Sequence, residues 1–329
     1  MRIGFLLSLL LAICPLLRAQ DDMHIRHQRL MFWNLENAFW PENEPSTNDD
    51  EFTPEGSRHW TMGRLRQKLL QLSRVVLAAG DGRAPMVVGL AEVEGDSVLH
   101  YWLHHTPMRE QHYASIMTHG VDPRGIEVAL LYQPTDFRLI NKEEYAIGVL
   151  HQSHPTRSVL HAAGRLVSGD TLDVIVCHLP SRMGGVRQSQ PYRDAAHQTL
   201  IQVADSIRLV RQHPQIVIMG DMNDYPKKKK AWWGNDFENL MVPLQKALRR
   251  NPWLKGSHKY QGEWGFLDQF IINRAWHGVS NARVFSLPFM LTDDESYLGH
   301  RPKRSYYGYQ HEGGYSDHLP ILLDMDIAF

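Results

Sequence analysis

Residues 216–226 read IVIMGDMNDYP. The run Gln215-Ile216-Val217-Ile218-Met219 has the β-branched richness and the length of a strand covered on both faces. Gly220 reads as the point where the backbone turns. Asp221, Asn223 and Asp224 follow at once, so the end of a buried strand is crowded with oxygen atoms. Unpaired buried carboxylates are costly. A metal ion or a phosphoryl group would supply the missing partner.

Outward from this stretch, strand-like and helix-like segments alternate. Residues 28–33, 85–93, 127–132, 171–177, 265–272 and 319–327 read as further strands. Residues 64–79 place Leu65, Leu69, Leu72 and Val76 on one helical face, with Gly80 as a stop. Residues 192–211 form a long amphipathic helix. Residues 40–60, rich in Pro, Glu, Asn and Asp, read as a surface loop near the same rim. Several strands end in polar groups: Asn34 and Glu36, Glu92, His178, Asp221 and Asn223, Asp268, and Asp317 with His318. Ligand groups gathered at strand ends are the mark of an enzyme whose scaffold holds a working rim.

The 329 residues, 43% hydrophobic and 22% charged, suffice for a large core without covalent staples. Residues 1–19, MRIGFLLSLLLAICPLLRA, carry Arg2, a largely apolar run interrupted by Pro15, and a small residue before Gln20-Asp21-Asp22. That is too short and broken for a membrane span and reads as a signal peptide, giving an exported, periplasmic or extracellular protein. The alternative, a lipoprotein acylated at Cys14, meets Ile13 where a small residue is expected. N-terminal sequencing separates the two, since the first starts at Gln20 and the second at an acylated Cys14. Cleavage leaves Cys177 as the one thiol, which excludes an intramolecular disulfide. It also makes the formal net charge, −1 for the whole chain, two units more negative. A basic nucleic-acid footprint is absent from the overall balance. No transmembrane segment remains after signal removal, and a monomer is expected.

Oxygen donors dominate the polar strand ends and no Cys/His spacing for zinc occurs. A hard divalent cation, Mg²⁺, Mn²⁺ or Ca²⁺, is implied. Two histidines beside acids can move protons near neutral pH. Metal, histidine and acids together are the equipment of phosphoester hydrolysis. Taken singly, each group has a local explanation, because Asp and Asn cap turns and strand ends. Asp268 is the exception: an acid inside the apolar FLDQFII needs a specific partner.

Seven motifs in order, FWNLENAF from Phe32, GLAEVE from Gly89, RGIEVALLY from Arg124, CHLPSRMGG from Cys177, GDMNDYP from Gly220, FLDQFII from Phe266 and SDHLP from Ser316, resemble the endonuclease/exonuclease/phosphatase superfamily. That superfamily includes DNase I-like nucleases, AP endonucleases, inositol polyphosphate phosphatases and neutral sphingomyelinases. The versions here look most like an exported bacterial branch. The resemblance implies a four-layer α/β sandwich, two packed, mainly antiparallel β-sheets flanked by helices, filling one domain over 20–329. It implies that Glu92 is the principal metal ligand, with Asn34, Glu36 and Asp317 completing the set. Asp221 would orient or deprotonate the attacking water, and Asn223 would hold a phosphate oxygen. His318, paired with Asp268, would stabilise pentacovalent charge, and His178 would protonate the leaving group. The AP-endonuclease branch differs at His178.

Arg182 sits in the loop ending Gly184-Gly185 and could clamp phosphate bidentately. Arg124 and Arg193 face either the site or solvent, and the role of Glu127 stays open. Lys227 to Lys230, before Trp232-Trp233, reads as a solvated run, and His100 with His104 as surface residues. The function expected is that of a metal-dependent endonuclease or phosphodiesterase acting on a phosphate ester, nucleic acid among the candidates. The alternatives are a phosphatase or sphingomyelinase-like hydrolase of small or lipid phosphates, and a non-catalytic binding module on the same fold.

Overall fold

The computed structural model describes residues 24–148, 155–182, 184–226, 232–248, 254–276 and 278–329. The signal-peptide reading of 1–19, Cys14 and the Lys227 to Lys230 run lie outside the described residues.

Two six-stranded sheets pack face to face. The first has the order β13 (Val279–Val284), β18 (Ile321–Ala328), β1 (Ile25–Ala38), β2 (Val87–Val93), β4 (Glu127–Tyr132), β3 (Ala114–Met117). The second runs β5 (Arg138–Tyr145), β6 (Val159–Arg165), β7 (Thr171–His178), β8 (Gln215–Asp221), β12 (Asp268–Asn273), β9 (Phe237–Asn239). Only β1 with β2 and β7 with β8 pair in parallel; the other pairs within these sheets are antiparallel. Three small hairpins, β10–β11 (His258–Tyr260, Glu263–Gly265), β14–β15 (Leu291–Asp293, His300–Pro302) and β16–β17 (Tyr306–Tyr307, Gln310–His311), stand apart from the two large sheets. The architecture is the α/β sandwich that the motif order implied.

Helices cover the outer faces. α1 (Met62–Gly80) buries Leu65, Leu69, Leu72 and Val76 as the periodicity requires. α2 (Gly95–His105) holds His100 and His104 exposed. α3 (Val186–Val210) presses Ala196, Leu200, Val203 and Ile207 into a cluster with Ile175, Ile216 and Ile218 of the second sheet. It begins six residues earlier than predicted, because Pro191 reads as a helix start but sits inside this one. The last helix, α4, is short (Met241–Leu248). The 40–60 loop is not purely surface: Phe52 and Trp60 are buried and Phe39 stacks on Phe52 at 4.2 Å.

Gly220 does not turn the chain, since β8 continues through it to Asp221. It faces Cys177 in the parallel register, and a Cβ there would lie 2.2 Å from the Cys177 carbonyl oxygen. The glycine lets β7 and β8 stay in register up to the working residues. Gly220→Ala is expected to destabilise by about 1–3 kcal/mol, the usual cost of overpacking. A urea midpoint lowered at constant slope checks this; an unchanged midpoint would mean the strands separate without cost.

Candidate active site

The strand registers assemble the site. Asp221 is paired with His178 across β7–β8 and with Asp268 across β8–β12, so three adjacent strand ends present three polar side chains in a row. Asn34 of β1 and Glu92 of β2 lie at the same end of the facing sheet, and Asn34 Nδ2 bridges the two sheets, donating to Asp221 Oδ2 at 3.2 Å and Glu92 Oε1 at 3.4 Å. Glu92 Oε2 accepts the Asn37 amide at 2.9 Å. Asn34, Glu92, His178, Asp221, Asn223 and His318 open onto one cleft of about 880 Å³.

Glu36, Asn37, Glu92 and Asn223 have positive φ of 55°, 58°, 62° and 46°, four of the nine such non-glycine residues described. Left-handed backbone at non-glycine residues costs on the order of 1–3 kcal/mol each and concentrates where function over-determines geometry. Of the four, Glu92 and Asn223 line the cleft, while Asn37 gives its amide to Glu92.

The segment before β18 closes the far side. Ser316 Oγ donates to the Asn34 carbonyl at 2.6 Å and accepts the His318 amide at 3.0 Å, while Trp33 Nε1 donates to the His318 carbonyl at 2.8 Å. His318 Nδ1 meets Asp268 Oδ2 at 2.8 Å, which leaves Nε2 pointing at Asp221 Oδ2, 3.8 Å away. On the other flank His178 Nε2 lies 3.7 Å from Asp221 Oδ2 and 3.8 Å from Glu92 Oε1. Asp221 therefore stands between two imidazoles.

The imidazoles differ in charge. Burial opposes the cation at His318, but Asp268, through charge and hydrogen bond, and then Asp221 and Asp317 hold its pKa well above the usual value. Burial, followed by repulsion from Arg157, Arg124 and His318, holds His178 well below it. Burial lifts Asp221 to about 6, with Asp268 adding to the rise and His318 opposing it. Asp317 is held far down despite its burial, chiefly by His318 and Arg304.

Not every expected residue faces the cleft. Glu36 is buried: its Oε2 accepts the Ser305 amide at 2.6 Å, Arg304 approaches its Oε1 at 3.6 Å, and burial followed by Asp317 raises it to about 7. Arg182 donates Nε to the Asn223 carbonyl at 3.1 Å, pairs with Asp224 and lies 4.6 Å over the Tyr225 ring. It ties down the Asn223 loop, and Asn223 Nδ2 itself donates to the Leu179 carbonyl at 2.9 Å. Arg193 is buried within α3, donating to Ser189 Oγ and the Val186 carbonyl. Glu127 accepts from Thr118 Oγ1 and the Gly120 amide, holding a loop to β4.

Other participants escaped sequence reading. Lys68 is buried on the inner face of α1 and donates to Ser305 Oγ and the Tyr315 carbonyl, beside Glu36 and Asp317. A lysine three residues from Leu65 and four from Leu72, on an apolar stripe, was a readable signal. Arg304 pairs with Asp317 at 2.5 Å, and the His258 ring lies 4.6 Å from that of His318. Neither is marked by local pattern.

The donor set fits a hard cation. Glu92 presents a carboxylate to the cleft, and among the described residues no lysine or arginine pairs with it; its one ion-pair neighbour is His178, which is held neutral. Asp317 keeps Oδ1 free of Arg304, which bonds Oδ2. Ligand atoms also converge within 4.8 Å in the trios His258–Asp317–His318 and Asp221–Asp268–His318. Both trios include His318, whose proton would compete with a metal, so Glu92 is the better anchor.

Fold and site together define a hydrolase of phosphoester bonds on a DNase I-like sandwich. The chain belongs to the endonuclease/exonuclease/phosphatase family, whose sequence model matches residues 29–327. No curated protein matches the chain. Among solved structures it is similar to the human Nocturnin catalytic domain with bound sulfate, at 16% identity and TM-score 0.55, covering 93% of this chain and 98% of that one. An endonuclease/exonuclease/phosphatase family protein from Bacteroides thetaiotaomicron gives 13%, 0.57, 92% and 98% on the same measures. TDP2 of D. rerio complexed with a single-strand DNA product gives 14%, 0.56, 92% and 99%. At these identities the likeness speaks for the fold alone.

Proposed function

We propose that the protein is a divalent-metal-dependent phosphodiesterase of the nuclease type, hydrolysing a P–O bond by in-line attack of water. The observation that carries the reading is the placement of Asp221 between a neutral His178 and a protonated His318, with Glu92 beside it in one open cleft. Glu92 and Asp317 would hold the cation, Asn34 would order Glu92 against Asp221, and Glu36 with Arg304 would support Asp317 from behind. When bound, the cation neutralises phosphoryl charge and acidifies water.

Asp221 takes the proton of the attacking water as the oxygen–phosphorus bond forms. The imidazolium of His318, fixed by Asp268, faces the charge that builds on the pentacovalent phosphorus. With its pKa held well below the usual value by burial and by Arg157 and Arg124, His178 is assigned the part of a neutral donor toward a phosphoryl oxygen in place of the leaving-group acid that the resemblance implied. The departing ester oxygen then draws its proton from solvent in the open cleft. Asn223 and Arg182 shape the loop that borders it.

The deciding experiment is a substrate panel of plasmid DNA, RNA, bis-p-nitrophenyl phosphate, p-nitrophenyl phosphate and sphingomyelin, with Mg²⁺, Mn²⁺ or EDTA. Diester cleavage that EDTA abolishes is the expected result. Full activity in EDTA, or turnover of the monoester alone, would overturn the reading.

A further inference from the structure

The cleft extends past His178 to a wall that the hydrolysis above does not use, formed by Arg124, Thr156, Arg157 and the entry to α3 at Gly184 and Gln188. Arg157 is 6% exposed; its Nη1 donates to Asp122 Oδ2 at 2.8 Å and its Nη2 to the Leu179 carbonyl at 3.0 Å. Its Nε has no partner among the described residues, and neither has Thr156 Oγ1. A buried guanidinium N–H left unpaired is expensive.

The charge does not balance either. Arg124 Nε reaches the same Asp122 carboxylate at 3.5 Å, so two guanidiniums share one carboxylate and the wall keeps a surplus positive charge. That charge reaches the reaction end of the cleft, since Arg157 and Arg124 follow burial among the causes that depress His178. The N-terminus of α3 adds to it. Its N-cap is Gly185, so no N-cap side chain competes for the first-turn N–H groups. A purely structural role, latching the Asp122 loop to the end of β7, accounts for both Nη groups. It leaves Nε, Thr156 Oγ1 and the surplus charge without purpose.

We propose that this wall is an anion subsite for a second phosphate of the substrate, so that the preferred substrate carries at least one phosphate beyond the one cleaved. The proposal rests on the phosphodiesterase reading of the cleft. A nucleotide chain and a phosphorylated inositol diester share this chemistry, and the test separates them.

Two matched sets of diesters serve as probes: TpT against pTpT and TpTp, and glycerophosphoinositol against its 4-phosphate. In one set the added phosphate is expected to raise kcat/KM on the order of 10-fold or more, mainly through KM, as charge-assisted arginine contacts do. R124Q and R157K should each remove most of that preference, the second because lysine keeps the charge but loses the fork. Arg138→Gln, at the far end of β6's partner strand, should retain it. The same pairs are titrated calorimetrically in EDTA, where no turnover is required. A preference in binding without cleavage would sink the hydrolysis reading and keep the subsite. Equal affinities within both sets for the wild type, or a preference that survives in R124Q with an unchanged thermal midpoint, would overturn the subsite.

Discussion

Glu92→Gln is expected to reduce turnover of a phosphodiester on the order of 10³-fold at limiting metal, with little change in stability. The glutamine keeps the shape and can still accept the Asn37 amide through its carbonyl, so the tie that sets the Glu92 backbone survives. What is lost is one negative charge beside Asp221, whose carboxylate is already strained by burial. Removing charge from a crowded acidic site relieves repulsion in the metal-free protein, while a hard cation held at Glu92 as proposed would lose its best ligand. Several kcal/mol of transition-state stabilisation follow from a Lewis-acid metal, and each ~1.4 kcal/mol is tenfold in rate. Calorimetric metal titration and kinetics over a range of Mg²⁺ and Mn²⁺ concentrations check it. A variant with unaltered metal affinity and unaltered turnover would move the cation to the trios around His318.

The sequence made the site legible because each working residue sits where an apolar run stops, and register does the rest. Once β8 is read from Gln215 to Asp221, the parallel pairing with β7 puts His178 beside Asp221 without further choice. The acid inside FLDQFII announced a partner, and the structure pairs Asp268 with His318. Other parts were silent for physical reasons. β5 reads RLINKEEY, an exposed edge strand with little apolar content, so no buried run marks it. β6, VLHAAGR, carries no acid at its start, and Arg157 just before it reaches the cleft wall only through its long-range tie to Asp122. Arg182 looked like a phosphate clamp because its sequence neighbours suit one, but its guanidinium is engaged by Asn223, Asp224 and Tyr225. Charged groups packed behind Asp317, the buried Lys68 and the half-buried Arg304, meet the site only through long-range packing.

The pair formed by Asp268 and His318 should behave as a unit. Asp268 is buried, and its Oδ2 holds His318 Nδ1 at 2.8 Å, which fixes the ring so that Nε2 faces Asp221. Asp268 is also the first favourable charge that keeps this imidazole protonated against its burial. His318→Ala is expected to lower kcat by ~10² to 10⁴-fold with a much smaller change in KM, because the cation acts mainly on the transition state. Asp268→Asn should reproduce a large part of that loss. The amide has no charge with which to stabilise the imidazolium, and if its Nδ2–H turns toward the ring it favours the wrong tautomer. Once either member is gone, the other has no catalytic work left, so the double variant should be little slower than His318→Ala alone. His178→Ala, on the other side of Asp221 with no acid behind it, should instead combine with Asp268→Asn close to multiplicatively. Kinetics of the wild type, the three single variants and the two double variants on one phosphodiester decide the matter. If the Asp268 and His318 losses multiply, the two residues act independently and the carboxylate is a structural acid that lies beside the catalytic ring.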